Sequence, residues 1–223
     1  MSKSHTRVVF ASLFAAIFLC GCTIQVNTGG STVKGSGVKS SETREVGAFR
    51  AVELSGSPNV EITIGDKPEV VVEADDNVVP IILTEVSNGT LRIYNKAGFN
   101  TSIGVNVRIV TPTLESVTIS GSGDIHIAKL KEKSFAATIS GSGSVKAEGE
   151  ADSVQAKVTG SGGIDLTKVA AKKATAVVSG SGGIKVNASE DLSANITGSG
   201  DIRYNGRPRL DSRVTGSGRV SGL

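Results

Sequence analysis

The second half of the chain alternates apolar and polar residues with a period of two, interrupted at regular intervals by the tripeptide Gly-Ser-Gly. The tripeptide begins at positions 121, 141, 160, 180, 198 and 216. An Ile or a Val lies two residues before each tripeptide, and another lies two residues after it. Alternation of this kind indicates strands with one buried face. Each repeat is therefore predicted to consist of two short strands joined by a Gly-Ser-Gly turn.

A single repeat of 18–20 residues cannot bury its apolar face alone, so we expect successive repeats to stack on one another. Stacking places the Ile and Val positions in columns, with coils separated by about 4.7–4.9 Å. The pattern predicts an all-β fold, a parallel β-helix (β-solenoid) with 18–20 residues per coil in the C-terminal half. We expect this solenoid to be right-handed and to be preceded by a less regular β region.

The outer glycines of the repeated tripeptide are predicted to be structural. A corner that recurs in every coil needs backbone angles that glycine adopts easily and small residues where coils touch. These turn residues are Gly121, Gly123, Gly141, Gly143, Gly160, Gly162, Gly180, Gly182, Gly198, Gly200, Gly216 and Gly218. Neither a phosphate-binding loop nor a calcium ladder fits, because no Gly-Lys-Ser/Thr follows and carboxylates do not recur in adjacent coils.

The first half, residues 45–113, contains strand-like runs at less regular spacing. Residues 54–57 read Leu-Ser-Gly-Ser and look like a degenerate first copy of the corner, with Pro58 at the second glycine position. Residues 77–86 are either a short helix or a strand, and Pro80 argues against an uninterrupted helix. We expect this half to begin the solenoid or to pack against its N-terminal end.

The N-terminus is predicted to be a targeting signal for export. Lys3 and Arg7 precede an apolar run over residues 8–19, which is typical of a signal peptide. The sequence Leu-Cys-Gly-Cys that ends at Cys22 resembles a bacterial lipobox, so residues 1–21 are predicted to be removed and Cys22 to be lipidated. A plain secretory signal or a single membrane anchor are the alternatives. Residues 22–44, rich in Gly, Ser and Thr, are expected to be a flexible tether for a domain over 45–223.

Composition removes several classes of function. Cleavage before Cys22 lowers the formal net charge from +3 to +1, which gives no reason to expect a nucleic-acid partner. His126 is then the only histidine, and no free thiol remains. We therefore expect no metal and no cofactor. The lipid would hold the protein in the bacterial envelope, and Thr23 after the lipidated residue favours the outer membrane, on its periplasmic or surface face.

Three groups of charged residues are candidates for binding. The pair Asp75-Asp76 is either a cation site or a solvated turn, and His126 points outward between two isoleucines. Lysines cluster in the second half, at Lys129, Lys131, Lys133, Lys172 and Lys173, where they are expected to be solvated. Arginines enrich the C-terminal end, at Arg203, Arg207, Arg209, Arg213 and Arg219, which suits an anionic lipid or polysaccharide or is simply solvated.

Several segments in order resemble one bacterial family. They cover residues 49–52, 59–62, 70–77, 88–93 and 110–114, followed by the repeats of the type Ser120–Ile125. Together, over about 45–223, they resemble the family called putative auto-transporter adhesin, head GIN domain. The resemblance implies a β-helical fold in a surface or envelope lipoprotein, and it provides no catalytic residues.

Three functions are compatible with these observations. The favoured one is a non-catalytic envelope or surface lipoprotein, held to the membrane by its lipid, whose rigid scaffold binds or adheres to a protein or glycan. A structural protein that forms homo-oligomers through the open solenoid edge is the second. A carbohydrate-active enzyme is the third, but a β-helix alone does not indicate catalysis. Only five aromatic residues follow Cys22, which offers few sugar platforms: Phe49, Tyr94, Phe99, Phe135 and Tyr204.

Overall fold

A computed structural model of the chain describes residues 32–223, and it contains no α-helix within that range. The strands are β1 Val33–Lys34, β2 Lys39–Thr43, β3 Ala51–Gly56, β4 Asn59–Ile64, β5 Glu69–Asp75, β6 Ile82–Ser87, β7 Thr90–Asn95, β8 Phe99–Asn100, β9 Asn106–Thr111, β10 Ser116–Gly121, β11 Asp124–Gly141, β12 Ser144–Gly160, β13 Gly163–Gly180, β14 Gly183–Gly198, β15 Asp201–Asn205, β16 Arg209–Gly216 and β17 Arg219–Gly222. A 3-10 turn spans Val79–Ile81. The fold is therefore all-β.

The C-terminal half is a parallel β-solenoid, as the repeat predicts. From β10 to β14 each strand pairs in parallel with the next, and β15, β16 and β17 continue the stack. Corner glycines face corner glycines in every pair, beginning with Gly121 opposite Gly141. The Ile and Val columns line the interior, where Ile139, Val158 and Val178 are fully buried. Burial of these columns is the main stabilising contribution of each coil.

The first half contributes coils to the same stack, but not in chain order. β3 pairs in parallel with β10 and places Gly56 opposite Gly121, which confirms that residues 54–57 are a first copy of the corner. β7 pairs with the other edge of β3, and β4 lies between β11 and β9. The coil made by β7 and β9 therefore lies beyond the coil made by β3 and β4, although it comes later in the sequence.

Antiparallel strands complete this end of the molecule. β6 pairs antiparallel with β7, and β5 pairs antiparallel with β9. The 3-10 turn contains Pro80, and the strand β6 follows it directly, so residues 77–86 combine both predicted alternatives. Val78, Val79, Ile81 and Ile82 are buried, and they cover the core of the outermost coil.

The prediction of a flexible tether over residues 22–44 is wrong for the described part, residues 32–44. β1 pairs in parallel with β8, and β2 pairs antiparallel with β5. Lys39–Thr43 is polar throughout, so its sequence shows no alternation. It is nevertheless a strand, because pairing with the edge of β5 needs only backbone N–H and C=O groups. The folded domain thus begins before residue 45, whereas the predicted signal peptide and Cys22 lie outside the described residues.

No helix in the described range is long and apolar enough to cross a membrane.

Candidate binding surface

The corner glycines combine a left-handed backbone with very close contacts between coils. The first glycine of each tripeptide has φ between +120° and +142°. A Cβ atom on it would lie 2.2–2.5 Å from the carbonyl oxygen of the corner glycine in the preceding coil, which no side chain tolerates. The serine between the glycines is held by its backbone, since Ser181 donates its N–H to the Gly160 carbonyl at 3.0 Å. The corners therefore position the coils and leave no room for a ligand between them.

Two further glycines differ from the corners. Gly163 and Gly183 lie opposite each other on β13 and β14, directly after their corners. A Cβ there would meet its nearest neighbour at 4.0 and 3.9 Å, an ordinary contact, and neither residue has a positive φ. The missing side chains leave a concave surface of about 430 Å³ that crosses the coils from Ser144 to Arg203. We call this surface the trough.

A column of charged residues forms the rim of the trough. Lys146, Asp165, Lys185 and Arg203 lie in register on successive strands from β12 to β15. The Lys185 Nζ lies 3.6 Å from the Asp165 Oδ2, so one carboxylate balances one lysine. Within residues 32–223, Lys146 and Arg203 form no ion pair. Asp201, two residues before Arg203 on β15, also lines the trough, so the lining contains three cations and two carboxylates and carries a net charge of +1.

Asp165 is ionised in this arrangement. Burial of the half-exposed carboxyl raises its pKa, but hydrogen bonds from the Thr167 N–H and hydroxyl, together with the charge of Lys185, bring the pKa below its usual value. The two Thr167 bonds measure 3.1 and 2.6 Å and fix one oxygen. The other oxygen faces Lys185. His126 precedes Lys146 in the same column and is exposed, as the alternation predicts.

A larger groove of about 930 Å³ lies where the coils bend, over the alanines Ala151, Ala170 and Ala171. It is lined by three members of the predicted lysine cluster, Lys131, Lys133 and Lys172, of which Lys131 and Lys172 pair with carboxylates on the neighbouring coil. The Lys172 Nζ lies 2.8 Å from the Asp152 Oδ1, and the Lys131 Nζ lies 3.6 Å from the Glu150 Oε1. The hydrogen bond from Lys172 lowers the pKa of Asp152, which keeps the pair charged. The lining contains three lysines and four carboxylates, so this groove is less suited to an anionic ligand than the trough is.

The acidic pair Asp75-Asp76 has a structural position. Asp75 is fully buried and accepts hydrogen bonds from the Gly37 N–H at 2.6 Å and from the Thr101 hydroxyl. Asp76 accepts one from the Ser36 hydroxyl. The bonds from Ser36 and Gly37 hold the segment before β2 against the capped end of the solenoid, the end that Val79–Ile81 and β6 cover. The partners lie 26 to 40 residues away in sequence, so the sequence alone could not reveal them.

The hydrogen bond from Thr101 lowers the pKa of Asp75 below its usual value, and the Gly37 N–H adds to the effect against the opposing effect of burial. Asp75 is therefore a buried carboxylate whose charge is satisfied by this chain. Within the described residues, no group of three or more His, Cys, Asp or Glu side chains could hold a metal ion. Asp75 therefore has a structural role, and the trough, whose lining carries a net positive charge, is the candidate binding surface.

Comparison with solved structures agrees with the fold. A putative adhesin from Bacteroides fragilis is 22% identical, with a TM-score of 0.68 over 86% of this chain and 100% of that chain. A putative lipid binding protein from Parabacteroides distasonis is 23% identical, with a TM-score of 0.61 over the same shares. A putative adhesin from the same species is also 23% identical, with a TM-score of 0.57. At such identities the likeness shows the fold alone.

No curated protein matches this chain. The family described as "Putative auto-transporter adhesin, head GIN domain" matches residues 48–208. That range covers the strands from β3 to β15, the corners up to Gly200 and the whole trough. Because the match extends over well more than half of the sequence, this chain belongs to the head GIN domain family of putative auto-transporter adhesins.

Proposed function

We propose that this protein is a non-catalytic lipoprotein of the bacterial outer membrane that presents its solenoid as a rigid binding surface, and that the trough binds an extended anionic glycan. One observation carries the choice of ligand. Around a concave surface, Lys146, Lys185 and Arg203 outnumber the carboxylates Asp165 and Asp201, and strand pairing holds the three cations in register. Membership of a family of putative adhesins, with a putative adhesin among the structural neighbours, supports a binding role at the cell surface.

The shape of the trough favours an extended ligand. Four successive coils carry the rim, and at about 4.8 Å per coil its charges are distributed over about 15 Å along the solenoid axis. The floor is formed by backbone at Gly163 and Gly183, so a flat polymer can approach closely. Since strand pairing fixes the backbone at every rim position, the conformational entropy that the protein loses on binding is confined to its side chains. Carboxylate or sulfate groups spaced along a polysaccharide would complement these cations.

The membrane attachment is part of the proposal. Lipidation of Cys22 would place its acyl chains eleven residues before Val33, where β1 begins. That length of chain spans at most about 40 Å. More than one acyl chain gives stable anchoring. The folded domain would therefore remain close to the membrane, with the capped end, which contains β1 and β2, nearest to the lipid.

The proposal is tested with the full chain in a non-ionic detergent and immobilised polygalacturonate, with neutral dextran as the reference. We expect binding to the polyuronate that weakens as salt increases, because the contacts are exposed ion pairs. The double variant Lys146→Glu/Lys185→Glu should weaken binding about tenfold or more, since two attractive contacts become repulsive.

Lys67→Glu/Lys96→Glu is the matched control. Both lysines are exposed, lie in bends between strands and do not line the trough, and the change in net charge is the same. The control should bind as the unaltered chain does. Equal losses in the two double variants would mean that only net charge matters, and absence of polyuronate binding by the unaltered chain would refute the proposed ligand.

A further inference from the structure

The two ends of the solenoid differ in how they cover the core. At the C-terminal end, the inward residues Leu210 and Val214 of β16 are 40% and 41% exposed. Their partners one coil earlier, Leu192 and Ile196, are only 1% and 2% exposed. At the opposite end the 3-10 turn and β6 bury the inward side chains. The inward side chains of the last described coil are thus left uncovered, whereas those of the first coil are buried.

The backbone of β16 is also open on one side. Among the described strands, β16 pairs with β14 alone, so its outer edge presents unpaired N–H and C=O groups. An exposed edge strand of this kind is a template for another strand. With eight residues, β16 is long enough to form a stable strand pair.

The sequence of β16 complements itself. When two copies pair antiparallel around a two-fold axis at Ser212, Leu210 lies opposite Val214 of the partner copy, and Asp211 lies opposite Arg213 of the partner copy. The symmetry repeats both contacts, so the interface contains two apolar pairs and two opposite-charge pairs. Within residues 32–223, neither Asp211 nor Arg213 forms an ion pair. Both charges are therefore available to a second copy.

Neighbouring registers do not have these properties. An axis at Asp211 or at Arg213 places like charges directly opposite each other, which is destabilising. An axis at Leu210 leaves most of the strand unpaired and relies on Arg209, which already lies 2.8 Å from Asp191. The pairing around Ser212 includes residues 209–215 and keeps inward side chains on one face.

We propose that β16 pairs antiparallel with β16 of a second copy around a two-fold axis at Ser212, giving an end-to-end dimer with a continuous sheet and a covered core. This inference is independent of the trough and of its ligand. The dimer would present two troughs in opposite directions. An end-to-end arrangement also buries Leu210 and Val214 on both copies, which is the main driving force for the contact.

Cross-linking of the full chain in a non-ionic detergent tests the register. In the proposed dimer the two copies of Ser212 face each other, with Cα atoms about 4.5–5.5 Å apart, within the range that a disulfide spans. Ser212→Cys should therefore give a disulfide-linked dimer on a non-reducing gel after mild oxidation. Thr215→Cys is the matched control, because its two copies would lie six residues apart, about 20 Å. The unaltered chain measures any background from Cys20 and Cys22.

Charge reversal in the Ser212→Cys chain gives a second measurement. Asp211→Arg or Arg213→Asp alone should lower the dimer yield about fivefold to tenfold, because both symmetry-related pairs become repulsive. The combination Asp211→Arg/Arg213→Asp should restore the yield, and restoration also shows that the coil still folds. An absent Ser212→Cys dimer, an equal yield from Thr215→Cys, or a combination that fails to restore the yield would each overturn the proposal.

Discussion

At the scale of single residues, glycine has two different uses in this chain. Gly180, at a corner, has φ +126°, and a Cβ there would lie 2.5 Å from the Gly160 carbonyl oxygen. Gly183, three residues later, has no such constraint, and a Cβ would lie 3.9 Å from its nearest neighbour. The first residue is needed for stacking, whereas the second only keeps the floor of the trough low. The glycine content of the chain does not distinguish these two uses.

The variants Gly180→Ala and Gly183→Ala should separate these uses. Gly180→Ala should lower the free energy of unfolding by about 2–4 kcal/mol, because a strained backbone and a steric clash act together. Gly183→Ala should change it by less than about 0.5 kcal/mol. Urea unfolding followed by circular dichroism measures both. Equal effects would contradict the distinction between the two kinds of glycine.

The lowered pKa of Asp75 predicts how the stability of the fold depends on pH. Its pKa is lower in the folded chain than in the unfolded one, chiefly because of the Thr101 hydroxyl. The charged form therefore stabilises the fold above the unfolded pKa of about 3.9. This contribution is lost as the pH falls through the lower, folded pKa. Stability should decline below about pH 4, and Asp75→Asn should weaken that part of the decline.

The comparison of Asp75→Asn with the unaltered chain is made by thermal unfolding at pH 7 and pH 3. The variant should be less stable at pH 7, and the difference should become smaller at pH 3. Asp66→Asn is the control, because Asp66 is exposed in a bend. A constant difference between the two pH values would show that the Asp75 charge does not contribute.

At the scale of elements, the corners stay in register while the bends absorb differences in coil length. Successive corners are 20, 19, 20, 18 and 18 residues apart. All of them align glycine with glycine. The irregularities of pairing fall elsewhere, for example between Ala171 and Lys173 on β13. A coil can therefore gain a residue at the bend, but not in the run that leads into the corner.

Two insertions of one alanine test this division. An alanine inserted after Lys172 should be tolerated as a bulge, at a cost of about 1 kcal/mol. An alanine inserted after Val177 shifts the corner at Gly180 by one residue relative to Ala174 and Ala176. Either the two alanines or the corner glycine must then lose its pairing register with the neighbouring coils. The second variant should lose most of its thermal stability and its resistance to protease. Equal stability of the two variants would show that register is not fixed at the corners.

At the scale of the whole molecule, the domain is closed at one end and open at the other. The closed end contains β1 and β2, which the Asp75 cluster fastens, and it is the end from which the chain leads back towards Cys22. The open end contains β16 and β17. The trough lies between the two ends, on the side of the coils.

Anchoring is tested with Cys22→Ser in a bacterial host. The unaltered chain should sediment with membranes and incorporate labelled palmitate, because a lipobox cysteine receives acyl chains. The variant should lose the label and leave the membrane fraction. Cys20→Ser is the matched control, since it keeps the acceptor cysteine, and it should remain lipidated. A labelled, membrane-bound Cys22→Ser protein would refute the assignment of Cys22.

Sequence alone determined the coil of the C-terminal half. The period of two defines which residues are buried, and the recurring Gly-Ser-Gly marks each corner, because both are local requirements of the backbone. The same pattern revealed the first copy of the corner at residues 54–57. It placed His126 outward for the same reason. The buried positions and the corners recur in every coil, so they can be predicted from the sequence.

Only the tertiary structure decided the order of the first coils, the strand formed by the polar segment Lys39–Thr43 and the burial of Asp75. Alternation does not specify which strand is the neighbour, and a backbone edge pairs with polar residues as well as with apolar ones. The trough likewise depends on Gly163 and Gly183 becoming neighbours. Contacts between residues distant in sequence depend on how the coils stack, and no local pattern encodes that arrangement.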